Sequence, residues 1–133
     1  MLIVKTKVKE SRIHGRGLFA DQNIRKGQII AKYNPLIDRK IPRKKFSKLP
    51  SFIQKFVKYY SYLNKRNEFV LSLDDSRYIN HSDRPNTCDI LTFWDRLFGR
   101  EGVAIATRDI KKGEEITSRY LKFDAKGRPK HII

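Results

Sequence analysis

The chain has 133 residues, of which 39% are hydrophobic and 11% aromatic, which is the composition of one globular domain with a modest core. Its formal net charge of +16 indicates contact with a polyanion: nucleic acid, an anionic membrane surface or an acidic protein. The apolar runs are too short to cross a bilayer, the N-terminal residues lack the pattern of a signal peptide, and the single cysteine, Cys88, excludes an internal disulfide and a cysteine-rich zinc site.

The first half of the chain predicts two strands followed by a helix. Residues 2–8 alternate as a strand does, and residues 29–33 predict another strand. Pro50 stands where a helix can start, and the apolar residues after it recur at helical spacing. The pattern predicts an amphipathic helix over residues 50–64.

The second half predicts further strands. Residues 68–74 have strand character, and residues 89–94 and 102–107 are predicted to pair as a hairpin. Many short strands with one helical insert are typical of a mostly-β protein, so we expect a single mostly-β domain over residues 1–133.

An eleven-residue segment occurs twice in related form. "ADQNIRKGQII" at residues 20–30 aligns with "ATRDIKKGEEI" at residues 106–116. Each copy predicts a strand end, a turn at glycine and a new strand. Because I-x-K-G is a favourable turn in any context, chance similarity is the alternative, and two short copies do not indicate a solenoid.

Basic residues concentrate in residues 39–48, which contain no acid. We interpret this run, with Arg43, Lys44 and Lys45 at its centre, as a patch that faces a polyanion such as nucleic acid. The alternative is an ordinary solvated surface. Residues 124–133 form a second basic segment, a tail.

The densest polar stretch is "RYINHSDRPNT" at residues 77–87, which has more polar residues than a turn needs. Together with "GRGLFA" and "IKKGEEITSRY", in that order and at these spacings, it resembles the SET domain of protein-lysine methyltransferases. The resemblance covers residues 3–123. It implies a SET-domain (β-clip) fold of short strands in small sheets, with one helical insert over about residues 38–66 and a threaded C-terminal segment.

The resemblance also implies a pocket for S-adenosylmethionine. Glycines permit close approach of the backbone to a ligand, and this is the role that the family implies for Gly15, Arg16 and Gly17. Asn80 and His81 match the residues that hold the adenine end of the methyl donor. Outside the family context, the glycines are a turn and His81 is a structural histidine. No metal is expected.

Methyl transfer to an amine is an in-line displacement that needs alignment at roughly 3–3.5 Å and little acid–base machinery. The amine must first lose its proton, which a nearby sulfonium and an apolar channel both favour. Tyr120 matches the catalytic tyrosine of the family, whose hydroxyl orients the amine. Ser118 stands where many relatives have an aromatic residue. A small residue there leaves room for higher methylation, and the alternative is that an aromatic residue from elsewhere in the chain fills the gap.

The predicted helix falls where the family carries a variable insert that shapes the substrate cleft. One of Tyr59, Tyr60 and Tyr62 is expected to face the lysine channel, and Phe123 to close it. We assign Tyr60 and Phe123 to the channel and Tyr62 to the cofactor pocket. The alternative for each is plain core packing.

The resemblance predicts an intracellular enzyme that methylates lysine on a protein, with a histone-like or nucleoid-associated, DNA-packaging protein as the expected substrate. The site of action is the cytoplasm or nucleoid, or a host nucleus if the protein is viral or secreted by a pathogen. The tail lacks the zinc-binding cysteines of many relatives, so a homodimer contact is one way to complete the pocket. Two alternatives remain: an inactive SET-like module that binds nucleic acid, and a small sugar- or acid-binding β-clip domain.

Overall fold

The computed structural model describes residues 1–64 and 66–119, and these residues form ten short strands and three α-helices. The elements are β1 (Thr6–Glu10), β2 (Arg16–Ala20), β3 (Ile29–Lys32), β4 (Asp38–Pro42), α1 (Arg43–Phe46), α2 (Ser51–Tyr60), β5 (Ser61–Leu63), β6 (Glu68–Ser72), β7 (Asn80–His81), β8 (Thr87–Ile90), α3 (Phe93–Leu97), β9 (Val103–Ala106) and β10 (Glu115–Ser118), with a 3₁₀ helix (Asp75–Tyr78) before β7. Within the described ranges, no helix has both the length and the hydrophobicity of a membrane span.

The strands form three small sheets, with the orders β1-β2-β10-β7, β3-β9-β8 and β4-β6-β5. In the first sheet, β10 lies between two strands that are distant in sequence. It is antiparallel to β2, with Ile116 opposite Leu18, and parallel to β7, with Thr117 opposite Asn80. The predicted mostly-β architecture of small sheets is confirmed. β10 belongs to "IKKGEEITSRY" and lies between a strand of "GRGLFA" and a strand of "RYINHSDRPNT", so all three segments of the resemblance are neighbours in one sheet.

Two hydrophobic clusters support these sheets. The larger contains six aliphatic side chains that are at most 1% exposed: Leu18, Ile24, Ile30, Ala106, Ile110 and Ile116. The smaller one lies under the insert and contains Phe46, Val57 and Phe69. Ile53 packs against the smaller cluster from α2, four residues before Val57, so the apolar stripe of α2 is the side that faces the core.

The two related segments face each other in the structure. Ile24 and Ile110 exchange two backbone hydrogen bonds of 2.8 Å. The Gly27 N–H donates to the Ala106 carbonyl and the Gly113 N–H to the Ala20 carbonyl, again at 2.8 Å each. Both glycines have positive φ, +82° and +93°. Every one of these contacts in one copy has its counterpart in the other, so the repeated sequence encodes an approximate two-fold relation and not merely a favourable turn.

The predicted helix over residues 50–64 is too long at its C-terminal end. α2 starts after Pro50, as expected, but ends at Tyr60. The backbone of Ser61 is extended, and Ser61–Leu63 pairs with β6 as β5. Hydrogen bonding to a neighbouring strand therefore overrides the helical spacing of the last apolar residues.

Two further boundaries differ from prediction. The first strand starts at Thr6, and Leu2 makes only an isolated bridge to Ala31. The predicted hairpin exists, since β8 pairs with β9, but its tip contains the helix α3. The Thr92 hydroxyl accepts from the Asp95 N–H at 3.1 Å, and the Asp95 carboxylate accepts from the Thr92 N–H at 3.0 Å. This reciprocal capping box explains why a helix begins here.

Candidate active site

The turn between β1 and β2 carries the first predicted site residues. The Ser11 N–H donates to the Gly15 carbonyl at 2.8 Å and closes the turn. Gly15 has a φ of +46°, which favours glycine, and a Cβ built on it would contact nothing within 4 Å. Gly15 and Arg16 are exposed. The turn therefore has a fixed backbone with an open outer side.

Asn80 fastens this turn to the rest of the sheet. Its side chain is only 2% exposed. The Nδ2 group donates to the His14 carbonyl at 3.0 Å, to the Arg16 carbonyl at 3.1 Å and to Glu115 Oε1 at 2.9 Å. Asn80, which belongs to the polar stretch at residues 77–87, thus links β10 to the turn at residues 11–17, which we call the glycine turn.

Glu115 completes this link from the other side. Its carboxylate accepts from the Ser11 hydroxyl at 2.8 and 2.9 Å, and from the Asn80 amide. A Cβ built on Gly17 would lie 2.8 Å from Glu115 Cδ and closer still to Oε1. The space that Gly17 leaves empty is therefore filled by the carboxylate.

The end of the polar stretch is pinned along β10. Asn86, which is 3% exposed, donates from Nδ2 to the Glu115 carbonyl at 2.8 Å and accepts from the Thr117 N–H at 2.8 Å. The Thr87 hydroxyl donates to the Thr117 carbonyl at 2.8 Å. The Asn86 amide thus bonds two backbone groups of β10 as a neighbouring strand does, and the stretch holds the C-terminal strand in place.

His81 continues β7 opposite Ser118. Its Nε2 lies 3.4 Å from Asp83 Oδ1, and the Ser82 N–H donates to the Ser118 carbonyl at 3.0 Å. Ser118 is 8% exposed. The predicted catalytic Tyr120 and channel residue Phe123 lie outside the described residues.

Tyr60 joins α2 to the polar stretch through aromatic contacts. Its ring centroid lies 6.0 Å from that of Tyr78 and 5.0 Å from that of Phe56, and the Arg77 guanidinium lies 5.3 Å from each of the Tyr60 and Tyr78 centroids. Tyr78 precedes Asn80 by two residues. The predicted channel residue Tyr60 is therefore placed beside the segment that carries the predicted donor-site residues Asn80 and His81.

Tyr62 belongs to a polar cluster around Glu101, apart from the aromatic contacts of Tyr60. Its hydroxyl donates to Glu101 Oε2 at 3.2 Å, while Glu101 Oε1 accepts from Asn64 Nδ2 at 3.1 Å and lies 3.2 Å from Lys40 Nζ. Burial raises the pKa of the Tyr62 hydroxyl well above its ordinary value, and the carboxylates of Glu101 and Asp89 raise it further. The phenol is held protonated, as a donor that ties the insert to the β8–β9 hairpin.

The predicted polyanion patch forms a short helix. Arg43, Lys44 and Lys45 are three of the four residues of α1, and all three are exposed. The fourth, Phe46, is buried against Phe69 with ring centroids 4.2 Å apart. Phe46 therefore anchors α1 to the core, and the three basic side chains project from this helix.

Glu115 and Glu101 are not among the predicted site residues. Glu115 directly precedes the fully buried Ile116 within "GEEIT", so strand alternation indicates that it faces the other side of β10. That it meets Gly17 and Asn80 depends on contacts across the chain. Glu101 lies on a hairpin tip, and no local pattern identifies its partners.

Comparison with known proteins adds independent findings. The SET domain model matches residues 15–121. Human histone-lysine N-methyltransferase 2B is 32% identical over 128 residues, which is 85% of this chain and 4% of that protein. The Candida albicans histone-lysine N-methyltransferase, H3 lysine-36 specific, is 32% identical over 139 residues, or 94% of this chain and 15% of that protein. The chain therefore spans only a small part of these relatives.

Solved structures show the same fold. A candidate histone methyltransferase of Plasmodium falciparum has a TM-score of 0.62 at 24% identity, covering 88% of this chain and 93% of that one. The Chaetomium thermophilum Polycomb Repressive Complex 2, in an autoinhibited conformation bound to S-adenosylmethionine, has a TM-score of 0.65 at 20% identity, covering 92% of this chain and 16% of that one. The SET domain model matches most of the chain, and the fold agrees with that match. The chain therefore belongs to the SET domain family.

Proposed function

We propose that this chain transfers a methyl group from S-adenosylmethionine to the side-chain amine of a lysine in a protein. The observation that carries the proposal is the Asn80 amide, which bonds both the glycine turn and Glu115 of β10. It makes one rigid unit of the three sequence segments that the family shares. Family membership and the histone-lysine methyltransferases among the relatives support the same activity.

The residues present fit the methyl donor. The backbone on either side of Gly15 is fixed by hydrogen bonds from Ser11 and Asn80, while the outer side of the turn is open. A fixed, open backbone loses little entropy when a ligand binds. Because the Asn80 side chain already bonds three acceptors, we assign it a positioning role, and assign the contacts with the donor to Gly15, Arg16 and His81.

When bound, S-adenosylmethionine supplies a methyl group activated on a sulfonium. The chain's own task is to bring a neutral lysine amine in line with it. We assign the orientation of this amine to the Tyr120 hydroxyl, which at an ordinary pKa near 10 is a hydrogen-bonding group and a poor base. Tyr60 and Tyr78 supply an aromatic wall beside the Arg77 guanidinium, and both desolvation there and the nearby positive charge favour the neutral amine. The small, buried Ser118 leaves room for more than one methyl group on the amine.

Charge limits the choice of substrate. A net charge of +16 repels a free basic peptide, although Asp83 lies within the polar stretch and Asp89 two residues after it. We infer that the substrate is a basic, histone-like protein and that the chain binds it while it is on nucleic acid. The phosphates then neutralise the positive charge of both proteins. The alternative substrate is an acidic protein. A separate proposal concerns assembly: contact with a second copy of the chain is one way to complete the methyl-donor pocket.

The test is transfer of a labelled methyl group to histones, or to a nucleoid-protein extract, followed by identification of the labelled residue. We expect label on lysine with the intact chain, and a loss of about 100-fold or more in Tyr120→Phe. Tyr33→Phe is the matched control, because it makes the same chemical change on a ring that packs under Lys40 Nζ at 4.8 Å. Well-folded protein that labels nothing, or a Tyr120→Phe variant as active as the control, would overturn the proposal and favour an inactive module.

A further inference from the structure

The insert is a region of unbalanced positive charge. Residues 38–66 contain ten lysines and arginines and a single acid, Asp38 at the first position, whereas the whole chain has 30 basic and 14 acidic residues. In the sequence this excess spreads over 29 residues. Whether it forms one surface depends on how α1 and α2 pack.

The packing brings the charges of the two helices together. The Lys58 amine of α2 lies 5.7 Å from the ring centroid of Phe46 in α1, so the two helices contact along this line. Gln54 of α2 donates to the Leu49 carbonyl at 2.8 Å and fixes the link between the helices. Phe46 and Val57 are buried beneath, which leaves the charged side chains outward. We call the resulting surface the basic face; its members are Arg43, Lys44, Lys45, Lys48, Lys55 and Lys58.

The positive charges of the basic face are not neutralised by ion pairs within the described part of the chain. Within residues 1–64 and 66–119, no ion pair joins any of its six members to an acid. The nearby Lys40 differs, since its amine pairs with the Glu101 carboxylate at 3.2 Å. All six members are exposed. Like charges held on one anchored surface repel one another, and a polyanion relieves that repulsion.

Nucleic acid fits this face better than a membrane surface does. A membrane-surface helix inserts its apolar side into the lipid, but the apolar stripe of α2 is already packed on Phe46 and Phe69. The exposed Phe52 lies about 120° around α2 from Lys58, on the flank away from α1. The second exposed phenylalanine of α2, Phe56, lies one turn from Phe52 on the same flank, with its ring centroid 5.0 Å from that of Tyr60. These two rings stand beside the basic face and not among its charges, and the clustered charges favour a polyanion.

We propose that the basic face binds the phosphodiester backbone of nucleic acid. This binding does not depend on methyl transfer, so it is expected in the Tyr120→Phe variant as well. It places the chain on the polymer that carries basic packaging proteins and leaves the glycine turn, which lies on a different sheet, free for the donor.

The test measures affinity for a labelled 20-base-pair duplex and a 20-nucleotide single strand by fluorescence anisotropy, across salt concentrations. Each lysine–phosphate contact adds about 0.9 to the slope of log K against log salt on a duplex. We expect Lys44→Ala/Lys45→Ala/Lys48→Ala to lower that slope by about 2 to 3. The triple variant should unfold at the same temperature as the unmodified chain.

The matched control is Lys5→Ala/Lys26→Ala/Lys111→Ala, which removes the same charge from exposed lysines outside the insert. We expect its slope to change by less than about 1. Equal losses in the two variants would show that net charge alone drives binding. The proposal is also overturned if neither nucleic acid binds, or if phosphatidylserine vesicles bind the chain through the same lysines and the nucleic acids do not.

Discussion

Replacing Gly17 by alanine tests the link that holds the glycine turn. The new Cβ would lie 2.8 Å from Glu115 Cδ, closer to Oε1, and 3.0 Å from Ser11 Cβ. Ordinary carbon contacts are about 3.5–4.0 Å, so the carboxylate must move by roughly 1 Å. It cannot do so and keep its bonds to the Ser11 hydroxyl and the Asn80 amide, which are 2.8–2.9 Å long.

The expected cost follows from these bonds. A hydrogen bond to a charged group contributes about 1.5–3 kcal/mol, and overpacking a filled site costs about 1–3 kcal/mol. We therefore expect Gly17→Ala to lower the free energy of unfolding by about 3 kcal/mol. Gly15→Ala is the contrasting control: its Cβ meets open space, so only the left-handed backbone is penalised, by about 1–2 kcal/mol.

A double-mutant cycle in urea isolates the contact. Glu115→Ala alone loses the same hydrogen bonds, but it also removes the atoms that Gly17→Ala displaces. The double variant should then be about as stable as Glu115→Ala, with a coupling energy of about 2–3 kcal/mol. Additive losses, with a coupling below about 0.5 kcal/mol, would refute the idea that Glu115 fills the space beside Gly17.

Three further predictions concern stability in urea. Asn86→Asp puts an oxygen where Nδ2 now donates to the Glu115 carbonyl, so it should lower the free energy of unfolding by about 3 kcal/mol at pH 7. The loss should be smaller at pH 4, because a protonated carboxyl can donate to that carbonyl; a loss that is independent of pH would contradict this reasoning. Burial raises the pKa of Asp74, but hydrogen bonds from neighbouring donors outweigh it and leave the pKa below its ordinary value. The stability that the ionised Asp74 contributes is therefore fully present above about pH 4 and is lost as pH falls through the folded-state pKa. The unmodified chain should be more stable than Asp74→Asn at neutral pH, and this difference should shrink below about pH 4. A difference that does not change with pH would refute the lowered pKa of Asp74. Tyr62→Phe removes one hydrogen bond to the Glu101 carboxylate and should cost about 1.5 kcal/mol, the lower end of the range for a charged partner because the bond is 3.2 Å long; no measurable loss would show that this bond is not stabilising.

Much of the fold follows from local sequence. Pro50 and the apolar spacing after it place the start of α2, and the strand predicted at residues 29–33 contains β3. The end of α2 does not follow, because Ser61–Leu63 has a helical pattern but bonds to β6. The partner strand lies several residues further on, and no window centred on the helix contains it.

The site is predictable in its members and less so in their connections. The shared segments identify the glycine turn and the Asn80–His81 pair, but Asn80 is separated by 64 residues from the Arg16 carbonyl it bonds. The role of Glu115 depends on the missing side chain of Gly17, so neither residue explains the other until β2 and β10 are adjacent. Long-range pairing decides these roles, and residue types alone do not.

The internal repeat illustrates the same limit from the other direction. Its two copies are visible in the sequence, yet a good turn and a structural repeat have the same signature there. The reciprocal bonds between Ile24 and Ile110 distinguish them. Because these two residues are also fully buried, the repeat pairs its copies through the main core.

Calorimetric titration of the chain with S-adenosylmethionine tests the central claim most directly. We predict a heat of binding that fits one site per chain, with an affinity at least about tenfold weaker in Gly17→Ala, where the turn loses its anchor, at temperatures where both proteins are folded. The absence of any heat from folded, unmodified protein would contradict the claim that the glycine turn and the Asn80–His81 segment form a methyl-donor site.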